Sequence, residues 1–291
     1  MAGLSFDQRG DRLWMDGALI PWSDARVHVL NHGLHYASSV FEGLRVYDGR
    51  IFKLKEHSER LFKSAELMGF SIPYRQEEIE AATLEAVEAE QVSNGYVRPV
   101  AWRGSEMMAI SAQETRIHVA IAAWEMSRYF GDRAGGIRLD WAEWRRPDPL
   151  TAPSHAKAAG LYMICTLSKH AAEAKGYVDA LMLDWRGQVA EATGANVFFV
   201  QDGGLVTPTP DCFLDGITRR TVIDLAAEEG IRVEERAIWP EELAEFSECF
   251  LTGTAAELTP VKQIGEDLHF NIGAVTNKLM NAYGDAVYGR R

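Results

Sequence analysis

One lysine of this chain is placed unlike the other seven. Lys53, Lys55, Lys63, Lys169, Lys175, Lys262 and Lys278 stand in charged or amphipathic surroundings and read as solvated side chains. Lys157 lies in Ser154-His155-Ala156-Lys157-Ala158-Ala159-Gly160, among small residues just before an expected helix. Small neighbours leave room for a bulky group to reach the amine. Desolvation disfavours the ammonium, and a neutral amine is what an aldehyde needs for covalent attachment. The plainer alternative is a loop lysine in an Ala-rich capping segment.

Glu191 is the second such residue. It stands in Val189-Ala190-Glu191-Ala192-Thr193-Gly194-Ala195-Asn196, followed by the apolar run Val197-Phe198-Phe199-Val200. Solvated glutamates normally sit among polar residues. A carboxylate here could keep a heteroaromatic ring nitrogen protonated and the ring electron-withdrawing. Asn196 could orient that carboxylate or its loop. A turn glutamate before a buried strand is the competing reading.

Two segments could hold a phosphate. Leu214-Asp215-Gly216-Ile217-Thr218-Arg219-Arg220 puts Gly216, Ile217 and Thr218 at the start of an expected helix, where free amides and the helix dipole favour a dianion. Thr252-Gly253-Thr254-Ala255-Ala256-Glu257 is a second small-residue loop after a strand. Neither resembles a nucleotide-binding fingerprint. Arg60, in His57-Ser58-Glu59-Arg60, is either an exposed helix arginine or a bidentate phosphate clamp. Arg98 sits mid-strand in Tyr96-Val97-Arg98-Pro99-Val100, where a substrate carboxylate would partner it. The adjacent Pro99 leaves an outward-facing edge position open. Tyr36 and Phe41 lie in a segment, 31–45, too rich in His, Gly and aromatics for a routine helix. It reads as site-lining, with aromatic core packing as the competitor.

These residues need elements to position them. Asp16-Gly17 and Asp48-Gly49 each stand between apolar segments and predict hairpins. From Leu54 the period becomes helical, ending at Gly69, and a second helix is expected over Gln76–Gln91. Strands follow at 96–100 and 116–122. Ser127, Gly131, Asp132, Gly135 and Gly136 break the pattern and mark an interdomain connection over 126–136. Beyond it come strand 137–141, helix 160–175, strand 180–184, a turn at Arg186-Gly187 and strand 197–200. The Asp202-Gly203-Gly204 turn, helix 218–229, strands 232–236 and 249–252, and a helix from about 272 complete the pattern. The fold class is α/β (α+β): a small N-terminal domain over 1–125, the connection, and a large C-terminal domain over 137–291.

Composition narrows the class of function. The 291 residues are 47% hydrophobic and 25% charged, ordinary for a globular protein. A net charge of -12 disfavours nucleic-acid and anionic-membrane partners. Cys165, Cys212 and Cys249 show no metal-ligand spacing, so no metal site is expected and the thiols read as reduced and buried. The N-terminal segment has no apolar core of a signal peptide, and no run is long enough to span a bilayer, so a cytoplasmic location is expected.

Taken in order, the motifs resemble the fold-type IV pyridoxal-phosphate enzymes, most closely the branched-chain amino acid aminotransferases. They are His35-Tyr36-Ala37, Val40-Phe41-Glu42-Gly43, Arg60-Leu61, Tyr96-Val97-Arg98-Pro99, Lys157 to Tyr162, Glu191 to Asn196, Gly216-Ile217-Thr218-Arg219 and Gly253-Thr254-Ala255-Ala256-Glu257. The resemblance implies two domains with a pyridoxal 5'-phosphate site at their interface. It makes Lys157 the lysine that attaches the cofactor and shuttles the proton, and Glu191 the partner of the ring nitrogen. Tyr162 would bond the phenolic oxygen, and Arg60, Ile217, Thr218 and Thr254 would hold the phosphate. Tyr36, Tyr96, Arg98 and the amides of Thr254 and Ala255 would bind substrate carboxylates, with Phe41, Tyr36 and Tyr162 lining the side-chain pocket. Amino acids and 2-oxo acids are the implied partners, in a homodimer or higher homo-oligomer. The implied reaction is amino transfer between Leu, Ile or Val and 2-oxoglutarate, a biosynthetic activity. D-amino-acid aminotransferases and aminodeoxychorismate lyases share the lysine and the glutamate and are the alternatives; a non-catalytic relative would lack one or both. Segments 103–106 and 124–130, and Asp215 in place of a frequent proline, depart from the family pattern.

Overall fold

The computed structural model describes residues 5–6, 9–126, 130 and 135–291. Of the connection expected over 126–136, residues 127–129 and 131–134 lie outside the described residues, as do 1–4 and 7–8 of the N-terminal segment. The chain divides into two compact units, one of residues 1–127 with 156–160, the other of 128–155 with 161–291.

The first unit contains β1 (Arg12–Met15), β2 (Ala18–Pro21), α1 (His32–Tyr36), β3 (Ser39–Phe41), β4 (Leu44–Tyr47), β5 (Arg50–Ile51), α2 (Leu54–Leu67), α3 (Gln76–Ala89), β6 (Gly95–Arg103) and β7 (Ile117–Glu125). The strands form one antiparallel sheet in the order β2-β1-β7-β6-β4-β5, with β3 also on β6. Both expected hairpins form. At the first, Asp16 and Gly17 take φ of 51° and 102°, the left-handed pair that a two-residue turn between twisted strands requires. Helix α2 buries His57, Ser58, Leu61, Ser64 and Ala65, a stripe at helical spacing. Helix α3 buries Ile79, Ala82, Thr83, Ala86 and Val87 in the same way. Burying Ile79 and Val87 contributes about 1.5–3 kcal/mol each.

Strand β6 carries Tyr96 and Arg98, and it is an interior strand. It pairs with β7 over its whole length and with β3 and β4 on its other side. The edge position that Pro99 left open for Arg98 therefore does not hold. The two partial neighbours explain how proline is accommodated: β4 pairs up to Val97 and β3 from Val100, so Pro99 falls at their junction. The segment over 31–45 is a five-residue helix followed by two short strands.

The second unit contains β8 (Ile137–Trp141), a 3₁₀ turn ending at Tyr162, α4 (Met163–Ala174), β9 (Asp179–Leu183), β10 (Val189–Ala192), β11 (Asn196–Gln201), β12 (Gly204–Thr207), α5 (Ile217–Glu228), β13 (Val233–Glu235), β14 (Glu248–Gly253), β15 (Glu257–Ile264), β16 (Leu268–His269) and α6 (Ala274–Val287). Its sheet runs β10-β9-β8-β15-β14-β11-β12-β13, with β16 on β15. β8 and β9 are parallel, which requires a crossover, and α4 supplies it. Asn196 to Val200 are all buried, so β11 is covered on both faces; hence its unbroken apolar run. Phe198 stacks on Phe250 with centroids 5.2 Å apart, and Phe199 on Phe246 at 4.9 Å.

Several elements differ from expectation; strands β6 and β7 run longer than the expected 96–100 and 116–122. The helix expected over 160–175 opens with the 3₁₀ turn and becomes α-helical only at Met163. No strand is expected over 257–264, yet β15 forms there between β14 and β8. Pro260 cannot donate to a ladder, and pairing with β14 and β8 overrides that local preference. Lys169 is not simply solvated: it donates to Val178 O at 3.0 Å and lies 3.6 Å from Asp179. The three cysteines are free and buried. Among the described residues no helix is long and apolar enough to cross a membrane.

Candidate active site

In the first unit the backbone at Lys157 is locked from two sides. Its N–H donates to Ser64 Oγ on α2 at 2.9 Å, and its carbonyl accepts from Phe41 N at 3.1 Å. Ala158 bridges to Val40. Ala156 and Ala158 are buried, so the small residues around the lysine are small because the segment packs tightly against α2 and β3. The Lys157 amine itself lies 5.1 Å from the centroid of the Phe41 ring.

Phe41 carries a second cation. The Arg98 guanidinium sits 4.7 Å from the same ring and 5.3 Å from that of Tyr96, and it donates to the Tyr96 hydroxyl at 3.2 Å. Residues two apart on a strand share a face, so Tyr96 and Arg98 act together. Gly43 is part of this arrangement. A Cβ there would stand 1.7 Å from the Tyr96 hydroxyl oxygen. Tyr36 ends α1, half in solvent, with its ring 4.6 Å from that of His32. Thus Lys157, Phe41, Tyr96 and Arg98 come together.

Arg60 is held by a carboxylate that the sequence did not single out. Its Nε and Nη2 donate to the two oxygens of Glu42 at 2.6 and 3.0 Å. His57 Nδ1 donates to Glu42 Oε2 at 2.6 Å. Burial disfavours a charged Glu42, but Arg60 and His57 outweigh it and hold the carboxyl well below the usual range. Burial pushes the His57 imidazole downward; Glu42 opposes this, while the charges of Arg60 and Lys157 reinforce it. The signal available in the sequence was Glu42 itself, a charge inside the apolar run Val40 to Leu44.

In the second unit Glu191 is buried in β10. Its Oε2 accepts from Asn196 Nδ2 at 3.1 Å, and its Oε1 lies 2.6 Å from Nη2 of Arg146. Asn196 also donates to Leu214 O at 2.9 Å. Gly216 presses on the same amide: a Cβ there would meet Asn196 Oδ1 at 2.2 Å. Asn196 pairs with Thr252 across β11 and β14, and Gly253 lies against Ala195. Asn196 therefore joins Glu191, the Leu214–Thr218 segment and the Gly253-Thr254-Ala255 turn. Asp215 has partners of its own. Its Oδ1 accepts from Arg219 Nη1 at 2.9 Å, and the buried Arg219 also bonds Glu235 and Pro208 O. The residue that departs from the family pattern thus pins the loop before α5. Tyr162 ends the 3₁₀ turn, half-buried.

Pyridoxal 5'-phosphate fits these donor sets. Helix α5 starts at Gly216 without a side-chain cap, so its first amides and dipole suit a phosphate. Glycine at 216 leaves room for the Asn196 amide beside that helix start. The buried Glu191 carboxylate, met by Asn196 and Arg146, suits a protonated ring nitrogen. Lys157 offers an amine beside an aromatic face, and Arg60 a guanidinium held in a fixed plane.

A family model described as "Amino-transferase class IV" matches residues 39–264. A branched-chain-amino-acid aminotransferase of Pseudomonas aeruginosa is 40% identical over 295 residues, covering 99% of this chain and 96% of that one. The branched-chain aminotransferase from the archaeon Thermoproteus uzoniensis, solved with norvaline, is 36% identical with a TM-score of 0.93, covering 97% and 96% of the two chains. The T.th. branched-chain amino acid aminotransferase, complexed with N-(5'-phosphopyridoxyl)-L-glutamate, is 38% identical with a TM-score of 0.91 over the same shares.

Two predictions test these clusters. Glu42→Gln leaves the half-buried Arg60 and the buried His57 without their anion and should cost about 3–5 kcal/mol in denaturant unfolding. Because the native Glu42 carboxyl titrates low, its contribution is fully present above the unfolded carboxylate range and is lost as pH falls below it. The destabilisation should therefore shrink toward acid pH; a cost constant between about pH 3 and 7 would contradict the assignment. Gly216→Ala should weaken pyridoxal 5'-phosphate binding at least about tenfold in titrations of cofactor-free protein, and unchanged affinity would remove Gly216 from the seat.

Proposed function

This chain belongs to the class IV aminotransferase family, and we propose that within it the protein moves an amino group between the branched-chain L-amino acids Leu, Ile and Val and 2-oxoglutarate, in a ping-pong cycle. Its cofactor is pyridoxal 5'-phosphate. The observation that carries the substrate assignment is Arg98, laid between the rings of Phe41 and Tyr96. A site with this double demand must accept the distal carboxylate of glutamate and also a bare aliphatic side chain. A guanidinium flanked by aromatic faces offers charge to one and apolar surface to the other. The relatives solved with norvaline and with a phosphopyridoxyl-glutamate adduct support both halves.

When bound, the cofactor supplies an electron-withdrawing ring that stabilises negative charge at the substrate's α-carbon. The side chains do the rest. Lys157 Nζ would hold the cofactor and would carry the proton between the substrate's α-carbon and the cofactor's C4′ position. Glu191 holds a proton on the ring nitrogen, and Asn196 keeps that carboxylate in place. Tyr162 donates toward the phenolic oxygen. Arg60, the amides of Ile217 and Thr218, and Thr254 bind the phosphate, with Gly216 and Gly253 allowing the close approach. Tyr36, Tyr96, Arg98 and the amides of Thr254 and Ala255 bind substrate carboxylates, and Phe41, Tyr36 and Tyr162 shape the side-chain pocket.

The protein is proposed to act in the cytoplasm, in branched-chain amino acid biosynthesis, as a homodimer or a higher homo-oligomer. Exposed apolar residues support self-association: Val29, Leu34 and Ile110 are 68%, 66% and 83% exposed. His32 Nε2 bonds Ala109 O at 2.9 Å and ties their segments together.

Lys157→Ala should reduce transamination by about 10,000-fold or more while the thermal unfolding midpoint stays near that of the parent; near-normal turnover would overturn the assignment. Glu191→Ala should cost about 100-fold or more and still permit covalent attachment of the cofactor. In a steady-state panel against 2-oxoglutarate, L-leucine, L-isoleucine and L-valine should all serve as donors. Activity on D-alanine without activity on L-leucine would favour the D-amino-acid branch of the family instead, and release of pyruvate from aminodeoxychorismate would favour the lyase branch.

A further inference from the structure

Arg146 belongs to no motif of the family pattern above, yet its contact with Glu191 is closer than that of Asn196, 2.6 Å against 3.1 Å. Both ions are buried, at 7% and 4% exposure. A buried ion pair is a poor device for stability, since apolar residues of similar volume serve as well or better. Its presence asks for another reason. We propose that Arg146 is a positioning residue that keeps Glu191 ionised and fixed in place before the cofactor arrives, so that the ring nitrogen meets a ready carboxylate. The proposal rests on reading Glu191 as the ring-nitrogen partner.

Three features carry it. First, a carboxyl group buried in β10 without a cation beside it would take up a proton, because burial disfavours its charged form. A guanidinium never loses its own proton at working pH, so it supplies a permanent counter-charge. Second, both partners are anchored to β9. Arg146 N donates to Leu183 O at 2.8 Å and the residue bridges in parallel to Asp184 at the end of β9. Glu191 on β10 is paired with Met182 of β9. Both charges are therefore held to β9, Arg146 by a single bridge at its end and Glu191 by ladder pairing. Third, Arg146 also reaches toward the segment of Tyr162, its Nη1 lying 3.5 Å from Leu161 O. Burial works against the arginine's charge, but Glu191, Cys165 and Tyr162 more than offset it and raise its pKa further.

Lysine would supply the charge without the planar fork that fixes its direction.

The test is proton-linked binding of pyridoxamine 5'-phosphate to the cofactor-free full-length protein. This ligand has an amine in place of the aldehyde, so covalent capture by Lys157 does not enter. Affinity and proton release are measured by calorimetry in two buffers between about pH 5.5 and 8.5, the range over which a buried carboxyl would titrate. In Arg146→Met, Glu191 should be protonated in the empty site, so binding should release about one proton more than in the parent. Affinity should then fall by up to about tenfold per pH unit toward acid, relative to the parent. The double variant Arg146→Met/Glu191→Gln should lose that extra proton. Arg146→Lys, which keeps the charge, should retain the parent's proton count but bind severalfold more weakly at every pH. It also serves if the methionine variant does not fold. Parent-like proton release and pH dependence in Arg146→Met, or parent-like affinity in Arg146→Lys, would overturn the proposal. Glu191→Gln binding as tightly as the parent would instead overturn the reading of Glu191 on which it rests.

Discussion

The two-sided grip on the Glu191 carboxylate is the constraint around which the second unit's site is built. Arg146 takes one oxygen and Asn196 the other. Asn196 then spends its second amide hydrogen on Leu214 O, and Gly216 is pressed against its carbonyl oxygen. A buried carboxylate is tolerable only when its charge is paired and its lone pairs are met. Satisfying Glu191 therefore fixes the turn before β11, the loop before α5 and the uncapped end of that helix. Asp215 and Arg219 close the loop from its other side. The Glu191 carboxylate and the uncapped start of α5 are thereby tied into one hydrogen-bonded body, and an error in either would be felt by the other.

The first unit solves a similar problem with the signs exchanged. There the residue to be positioned is a cation, Arg60, and the buried carboxylate is its holder. Glu42 receives two guanidinium N–H groups and one imidazole N–H, which is why its carboxyl stays ionised at low pH. The next residue back, Phe41, presents its ring to Lys157 and Arg98 and its backbone N–H to the Lys157 carbonyl. Two adjacent residues of one short segment thus organise the Arg60 guanidinium, the Lys157 amine and the Arg98 guanidinium. Gly43, the next residue on, clears the space for Tyr96. The tight motif Val40-Phe41-Glu42-Gly43 has a separate physical reason at each position.

Much of the fold was legible along the chain. The Asp-Gly turns, the helical stripes of α2 and α3 and the unbroken apolar run of β11 are local patterns, and each forms close to where its pattern lies. Two places resisted. β15 contains Thr259-Pro260, which local preference reads as a break; strand pairing on both sides outweighs that preference. Pro99 suggested an edge, but it falls at the junction between the pairings of β4 and β3 with β6, where an interior proline is tolerated. In both cases the deciding partners are remote in sequence.

The same division runs through the site. The sequence by itself determined the kinds of chemistry: an amine among alanines at Lys157, an acid before an apolar strand at Glu191, small residues and hydroxyls before a helix at 216–218. These depend on residue type and on immediate neighbours, which a sequence states directly. Only the tertiary structure decided how the charges are matched. Glu42 with Arg60 and His57, Arg146 with Glu191, and Asp215 with Arg219 within the loop network are matters of distance and burial. The strength of such a pair depends on how closely the groups approach and how little water reaches them, and neither quantity has a period or a motif that can be read along a chain.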